Sequence, residues 1–572
     1  MNDVINRVAK YVSEVECKYN GRPYADTLMN MFIDDMKNNL WLPSSPILMN
    51  AGTDHPMLSA CFVLDIKDDM ASIFNTLRDA SLIQQHGGGV GFNFSNIREK
   101  GATVWSTNGV ASGVVSFMQV FNAATNIVKQ GGRRRGACIA VLDVDHPDIM
   151  EFIHCKDNDG EMNSFNISVR VTDDFMKKAE IGETYPLISR SNGSECGRLN
   201  ARDVLLEIAR QAIKTGDPGI LFGDEIERHN PTPELGRLTG VNPCGEVSLY
   251  DKEACNLASI NLEKFDSSGY NKENDVYIDD AVECMVHFLD DSIDVNVFPI
   301  PEIEETVKAT RKIGIGITGL HGFLINSGLK YDSEEGRNKA QWIMRIISSA
   351  AIRTSSRLGF ARGSYPKYSG HGTMRNATRT CIAPTGTISI LMDTSSSGIE
   401  PVFNWAYTRK VEGIDYMVVP PILDKLLDKY AVTMDKETVY RKIEANGGSL
   451  QGLTFLPEEM RELCRTAYEI SPIDHINMLA AIQTEVDNNI SKTINIGFED
   501  FNCDNDSNVQ YVYDLIMTAY SRGCRGITIY VDGAKKNQVL TAHNTCPICG
   551  SVITVTEGCK KCPNCGWSTC SL

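Results

Sequence analysis

The chain has 572 residues, 42% hydrophobic and 23% charged, the proportions of a soluble globular protein with room for one large catalytic unit and attachments. Its formal net charge of -17 argues against a nucleic-acid backbone or an anionic membrane as main partner, since both reward basic surface. No apolar run is long enough to span a bilayer, and Met1-Asn2-Asp3-Val4 opens no signal peptide. The 18 cysteines are therefore expected in a reducing cytoplasm, as core residues, metal ligands or catalytic groups rather than disulfides.

Residues 1 to about 40 read as two short amphipathic helices, with Val4, Val8, Tyr11 and Val12 on one stripe. Trp41 to Asn50 is punctuated by Pro43 and Pro46 and cannot be helical throughout; it sets Ser44 and Ser45 between apolar residues, as at the entrance to a site or in a buried loop. Leu58-Ser59-Ala60-Cys61 follows, then a helix from about 71 to 85 and the glycine run His86-Gly87-Gly88-Gly89-Val90-Gly91-Phe92. Such a run permits close backbone approach, but it has the spacing of neither a Walker loop nor a dinucleotide fingerprint. Gln130-Gly131-Gly132-Arg133-Arg134-Arg135-Gly136 puts three guanidiniums on a flexible loop of an acidic protein, a local trap for phosphate unless it is a plain solvated charge run. A helix over Arg202 to Lys214 stops at Thr215-Gly216-Asp217-Pro218-Gly219.

The central stretch is Asn242-Pro243-Cys244-Gly245-Glu246, with Cys255-Asn256-Leu257 shortly after. In an extended segment the amide, the thiol and the carboxylate at 242, 244 and 246 share one face; the same residues also suit a buried turn with a small apolar thiol. Arg311 to Leu320 alternates glycine with β-branched residues, as a buried strand with close neighbours does. Ala383-Pro384-Thr385-Gly386-Thr387-Ile388-Ser389 offers hydroxyls and free amides at a strand-to-helix turn, a common phosphate cradle. Ser521 to Tyr530 reads as a late buried strand, and the alternation of strands with helices indicates an α/β architecture.

Polar turns near 535 to 545 mark a boundary before a cysteine-rich tail. Cys546-Pro547-Ile548-Cys549 and Cys562-Pro563-Asn564-Cys565 have zinc-ribbon spacing, four thiolates completing a tetrahedral site. Cys559 and Cys570 are surplus to zinc and suit a dithiol carrier that exchanges with a buried disulfide.

Together, Asn-x-Cys-x-Glu at 242 to 246, Cys255-Asn-Leu-Ala-Ser-Ile-Asn-Leu262, Leu58-Ser-Ala-Cys61, Gln130-Gly-Gly and Pro384-Thr-Gly-Thr-Ile-Ser389 resemble the catalytic chain of a ribonucleotide reductase, in order from about Trp41 onward. The subclass resembled is the adenosylcobalamin-dependent one, class II. The late strand Gly526 to Gly533 lacks the Tyr-Tyr pair that iron-dependent class I large subunits carry there, and the zinc tail is typical of many cobalamin-dependent members. The resemblance implies a ten-stranded α/β barrel over residues 41–538 with the reactive cysteine on a finger loop, a helical segment 1–40 and a zinc-ribbon and redox tail 539–572. It implies Cys244 as a thiyl radical taking the 3′ hydrogen of a ribonucleoside di- or triphosphate. Glu246 would be the base on the 3′ hydroxyl, Asn242 its hydrogen-bonding partner, and Cys61 and Cys255 the dithiol oxidised in each turnover. Ser45, Ala60 and the turn Pro384, Thr385, Gly386, Thr387, Ile388, Ser389 would bind substrate; Ala60 replaces a serine found in many relatives and loses one hydroxyl contact. A deoxynucleoside triphosphate or ATP would bind as specificity effector at Asp68 and Arg98, with Gln130 and Arg135 relaying its choice.

The family's N-terminal ATP cone does not fit in the residues before Trp41, so no dATP shut-off through such a domain is expected. Thioredoxin or glutaredoxin would be the reductant, and a homodimer the assembly. In the tail, zinc on Cys546, Cys549, Cys562 and Cys565 with Cys559 and Cys570 as carrier competes with zinc on 546, 549, 559 and 562 and Cys565/Cys570 as carrier. The alternatives for the whole chain are a class I large subunit needing a separate radical-generating protein, a glycyl-radical reductase, disfavoured because no glycine-radical motif is seen, and, from another class, a zinc-tailed nucleic-acid binder, which the acidic balance disfavours.

Overall fold

In the computed structural model, all residues are described except 105–107, 131–133, 136, 159–161, 412–413, 498–500, 533, 535–553, 557–558 and 562–572. The frame is a mixed sheet of ten strands: β1 Trp41–Pro43, β2 Cys61–Asp65, β3 Gly89–Asn93, β4 Cys138–Asp143, β5 Phe165–Val171, β6 Gly219–Phe222, β7 Glu253–Asn261, β8 Ile313–Thr318, β9 Thr493–Ile496 and β10 Gly526–Val531. Their order is β1-β7-β2-β3-β4-β5-β6-β10-β9, with β8 on β7. From β2 to β6 every pair is parallel, as are β7 with β8 and β9 with β10; β1 and β2 meet β7 antiparallel, and β6 meets β10 antiparallel. The first six strands therefore run one way and the last four the other. Between β8 and β9 lies the segment 378–382: Ile315 bridges Thr380, and Ile382 bridges Ile490 just before β9.

Two-residue alternation divides each strand between two faces. Phe62 and Leu64 of β2, Ala140 and Leu142 of β4, and Ala258 and Ile260 of β7 join the main core under the helices. Their neighbours Cys61, Val63, Cys255 and Leu257 form one small cluster on the other face, and Ile139 and Val141 another. All nine residues of β7 are buried, as a strand covered on both faces requires.

Helices cover the outer face. α1 (Asn2–Ser13) buries Ile5, Val8, Ala9 and Val12, and α2 (Arg22–Lys37) buries Ala25, Leu28, Phe32 and Met36, each a single apolar stripe. A further short helix, Glu16–Tyr19, stands between them, so the N-terminal segment holds three helices rather than two. α3 (Met70–Gln85) starts at Asp69, whose side chain accepts from Ser72 N, and α4 is Val114–Ile127. α5 (Ile278–Val295) is buried along most of its length, and α6 (Glu334–Arg362) runs for 29 residues. A second hydrophobic core, with Trp405, Leu423, Leu426, Val439 and Ile443, gathers residues 402–464 into a lobe.

One strand is shorter than the sequence implies. Residues 521–525 do not extend it: Ser521 ends the helix Asp506–Ser521, and Gly523 (φ 72°) turns the chain before β10 starts at Gly526. The four knuckle cysteines and Cys570 lie outside the described residues, and of Cys559 only the backbone is described, in a hairpin of Cys559–Lys561 with Thr554–Thr556.

Candidate active site

Cys61 opens β2 and Cys255 lies near the start of β7, and the antiparallel register sets them directly opposite each other. Opposed residues of such a pair have Cα atoms about 4.5–5.5 Å apart, within the span a disulfide needs. Both are free thiols, both are buried, and both point into the same small cluster. Burial pushes both thiols up from their ordinary range; Cys61 is raised further by the Glu246 carboxylate, and Cys255 by Glu253 against the opposing pull of Lys312.

The central stretch is not extended. Gly240–Val241 and Ser248–Leu249 pair as a short hairpin, and Asn242 to Val247 form its tip, with Gly245 N donating to Asn242 O at 2.8 Å and Gly245 at φ +80°. Glycine is required at that left-handed position. In consequence the three side chains do not share a face. Asn242 and Glu246 turn inward and are buried, whereas Cys244 is exposed. The inward pair reaches β2: Asn242 Nδ2 donates to Cys61 Sγ at 3.0 Å, and Cys61 Sγ stands 3.8 Å from Glu246 Oε1.

The glycine run lets the hairpin come this close. A Cβ on Gly91 would stand 1.8 Å from Val241 O, and one on Gly89 3.0 Å from Pro243 Cγ. Val241 packs with Ile139 and Val141, while Val247 and Leu249 pack with Val63 and Leu257, so the hairpin lies across the sheet between the two small clusters.

Glu246 is 2% exposed, and its Oε2 has no hydrogen-bond partner among the described residues. Burial raises its carboxyl to about 7, against the opposing effect of the Asn242 and Cys61 contacts. A carboxyl of that kind exchanges a proton readily near neutrality.

Cys244 opens onto a cavity of about 1250 Å³, whose wall also holds Pro384, Gly386, Ser389, Asn166 and Tyr530. That exceeds the roughly 300–1,000 Å³ of ordinary small-molecule sites. Hydroxyl-bearing residues (Ser389, Thr394 to Ser397) and an apolar stretch (Val418 to Pro421) share the wall. Of the 384–389 turn, Pro384, Gly386 and Ser389 reach the cavity. Thr385, at φ 54°, instead donates to Thr318 Oγ1 and accepts from Gly398 N, and Ile388 is buried.

Ser45 is half-buried at the start of the helix Ser45–Asn50, and Ala60 packs beside the cysteine cluster. Asp68 and Arg98 meet each other, Arg98 Nε donating to Asp68 Oδ2 at 2.6 Å. Of Gln130 and Arg135 only the backbone is described, in a hairpin that pairs Lys129 with Arg135 and Gln130 with Arg134.

Three features escaped the sequence reading. Cys381 joins the cluster of Cys61 and Cys255, leaning over Gly314, where a Cβ would meet its sulfur at 2.4 Å. Lys312 and Glu253 form a fully buried ion pair of 2.8 Å beside Cys255, whose sulfur lies 3.6 Å from Lys312 O. Asn166 and Asn489 touch the hairpin tip. Only the first carried a signal, a cysteine just ahead of the Pro384 turn.

The family model described as "Ribonucleotide reductase, barrel domain" matches residues 59–373 and 370–530. A protein of Mycobacterium tuberculosis (strain CDC 1551 / Oshkosh) named "Vitamin B12-dependent ribonucleoside-diphosphate reductase" is 39% identical over 565 residues, which span 97% of this chain and 79% of that one. A Thermoplasma acidophilum protein of the same name is 40% identical over 522 residues, 90% of this chain and 66% of the relative. Among solved structures, the Actinobacillus ureae class Id ribonucleotide reductase alpha subunit superposes with a TM-score of 0.75 at 23% identity, over 92% of this chain and 93% of that chain; this likeness is one of fold.

Proposed function

Because the chain belongs to the ribonucleotide reductase family, we propose that it is a vitamin B12-dependent enzyme that reduces ribonucleoside diphosphates, or triphosphates, to 2′-deoxyribonucleotides by thiyl-radical chemistry. The observation that carries this reading is the opposition of Cys61 and Cys255 across β2 and β7, with the Glu246 carboxyl 3.8 Å from Cys61 and Cys244 facing the cavity. Reduction of one ribonucleotide consumes two thiols and yields a deoxyribonucleotide, one disulfide and one water, and this pair supplies the electrons and the protons.

Adenosylcobalamin, when bound, supplies the radical that no side chain generates alone. Tyr407, Val418, Val419 and Pro420 give the cavity wall the apolar surface that would hold its ring. Cys244 takes the 3′ hydrogen of the ribose and returns it. Glu246, poised near 7, accepts the 3′ hydroxyl proton, and Asn242 fixes the Cys61 side of the site. Cys61 gives its proton to the departing 2′ hydroxyl and closes a disulfide with Cys255. Pro384, Gly386 and Ser389 of the 384–389 turn, with Ser45, bind sugar and phosphates, and the burial of Cys61, Cys255 and Glu246 keeps water from the dithiol and the base. The frame is a ten-stranded α/β barrel closed through the segment 378–382, with the hairpin 240–249 as its finger loop; residues 1–40 form the helical segment and 539–572 the zinc and redox tail.

Cys546, Cys549, Cys562 and Cys565 would hold a structural zinc, and Cys559 with Cys570 would carry electrons from thioredoxin or glutaredoxin. A deoxynucleoside triphosphate or ATP binds at Asp68 and Arg98, where it competes with their mutual ion pair, and Gln130 and Arg135 relay the choice of base. Exposed Met70, Phe74 and Leu82 on α3 and Ile127 on α4 support a homodimer. No helix among the described residues is long and apolar enough to cross a membrane.

The test is an anaerobic assay of ribonucleoside di- and triphosphates with adenosylcobalamin and dithiothreitol and no second protein. Deoxynucleotide formed by the parent and abolished by Cys244→Ala is expected; activity that requires an added radical-generating protein would return the chain to class I.

A further inference from the structure

The tip that carries Cys244 is gripped from both sides. Asn166, second residue of β5, donates from Nδ2 to Pro243 O at 3.1 Å. Asn489, in the segment leading into β9, donates from Nδ2 to Gly245 O at 3.1 Å and to Ser248 Oγ at 2.8 Å, and its backbone N–H donates to Glu246 O at 3.1 Å. Next to it, Asn488 Oδ1 accepts from Ser248 N at 2.8 Å. Pro243 and Gly245 are the two chain neighbours of Cys244, so a carbonyl on each flank is tied to a different wall of the sheet.

These contacts are not needed to fill the core. Asn166 is the one exposed residue of β5, whose other six are buried, and it lines the same cavity as Cys244. Asn489 is 3% exposed, and its side-chain Nδ2 is committed wholly to the hairpin, while its backbone N–H is shared between Glu246 O and Asn488 Oδ1. We infer that Asn166 and Asn489 are positioning residues that fix the direction in which Cys244 presents its sulfur to the substrate ribose. The inference rests on the reading of Cys244 given above.

Hydrogen transfer needs the reacting atoms held at about 3–3.5 Å, and misplacement by about 1 Å can cost on the order of 100-fold in rate. A backbone carbonyl freed on one flank lets the peptide rock, and the sulfur moves with it. Asn489→Ala removes the donor; Asn489→Asp keeps the shape but points an acceptor at Gly245 O; Asn166→Ala frees the other flank.

In steady state with saturating cofactor, kcat should fall roughly 10- to 100-fold in each variant while KM for the nucleotide stays within about threefold. The isotope effect on kcat with 3′-deuterated nucleotide should exceed the parent's, because hydrogen transfer becomes more rate-limiting. Asn489→Asp should be at least as impaired as Asn489→Ala. A role confined to folding would lower the melting temperature and the active fraction but leave kcat per active site and the isotope effect unchanged, and that result overturns the inference. So does an Asn489→Asp protein that matches the parent.

A second measurement uses cofactor-free protein: the rate at which iodoacetamide alkylates Cys244, resolved by peptide mass spectrometry on protein shown folded by circular dichroism. It should differ from the parent by about threefold or more in all three variants, because the thiol samples new orientations; equal rates sink the bracket. If the parent itself reduces no nucleotide, the reading of Cys244 fails, and the alkylation rates alone then decide whether the asparagines hold it.

Discussion

Glu246 is a carboxyl held almost wholly out of water beside the Cys61 thiol. With its carboxyl raised from 4.5 to about 7 by burial, the folded protein holds a proton that the unfolded chain has already released. The stability this confers is full below about 4.5, is lost as pH rises through about 7, and amounts to about 3 kcal/mol. Glu246→Gln should therefore abolish nucleotide reduction yet unfold at a higher temperature than the parent at pH 8, with the gain shrinking towards pH 5; thermal melts across that range measure it. With Glu246 as the proposed base, kcat of the parent should rise with pH through about 7. The thiols give a second expectation. Cys61→Ser or Cys255→Ser should lower deoxynucleotide formed in a single turnover by at least about 100-fold, with no disulfide gained on thiol titration. The nearness of Cys61, Asn242 and Glu246 could be anticipated from separated motifs, but not which side chains point inward. That depends on Gly245 adopting a positive φ, and an alternating pattern read as a strand conceals such a turn.

Among elements, the hairpin 240–249 sets the tightest tolerances. Gly91 matters because its missing Cβ is occupied by Val241 O, a backbone atom that cannot rotate away. Gly91→Ala must push the hairpin off β3. It should destabilise the protein by about 1–3 kcal/mol in denaturant titration, and activity should fall further than stability explains. The purpose of the glycine run was legible as close approach; the partner was not, since it lies some 150 residues away in sequence. The pair Glu253 and Lys312, which ties β7 to β8 with neither side chain exposed, had no sequence signal at all. Lys312→Met leaves the buried Glu253 carboxylate without a countercharge, held only by Tyr250 N and Thr310 Oγ1, and should cost about 3–5 kcal/mol. Glu253→Gln added to it should recover most of that loss, read from the same titration.

At the scale of the molecule, the alternation of strands and helices was enough to indicate α/β, whereas the reversal between the first six strands and the last four was not. Strand direction depends on which distant segments pair, and local composition carries no record of it. The N-terminal helices are fastened by charge that sequence patterning also hides. Arg362, at the end of α6, meets Glu16, Asp290 and Asp291, all buried. Arg362→Ala should cost about 3–5 kcal/mol and expose the segment before Trp41 to limited proteolysis ahead of the rest.

The register that places Cys61 against Cys255 has a practical corollary. If this pair is the proposed redox dithiol, joining the two opposed sulfurs demands no rearrangement of the strands, so the spent and the ready enzyme should share one backbone. Yet at 5% and 1% exposure the spent bond cannot be touched by the surface of another folded protein. Only a slender courier, a small dithiol or a narrow peptide bearing one, can thread inward and reset it. Dithiothreitol should thus recharge an enzyme truncated after residue 538, while a bulky protein reductant presented to the same truncated enzyme should leave it spent after a single round.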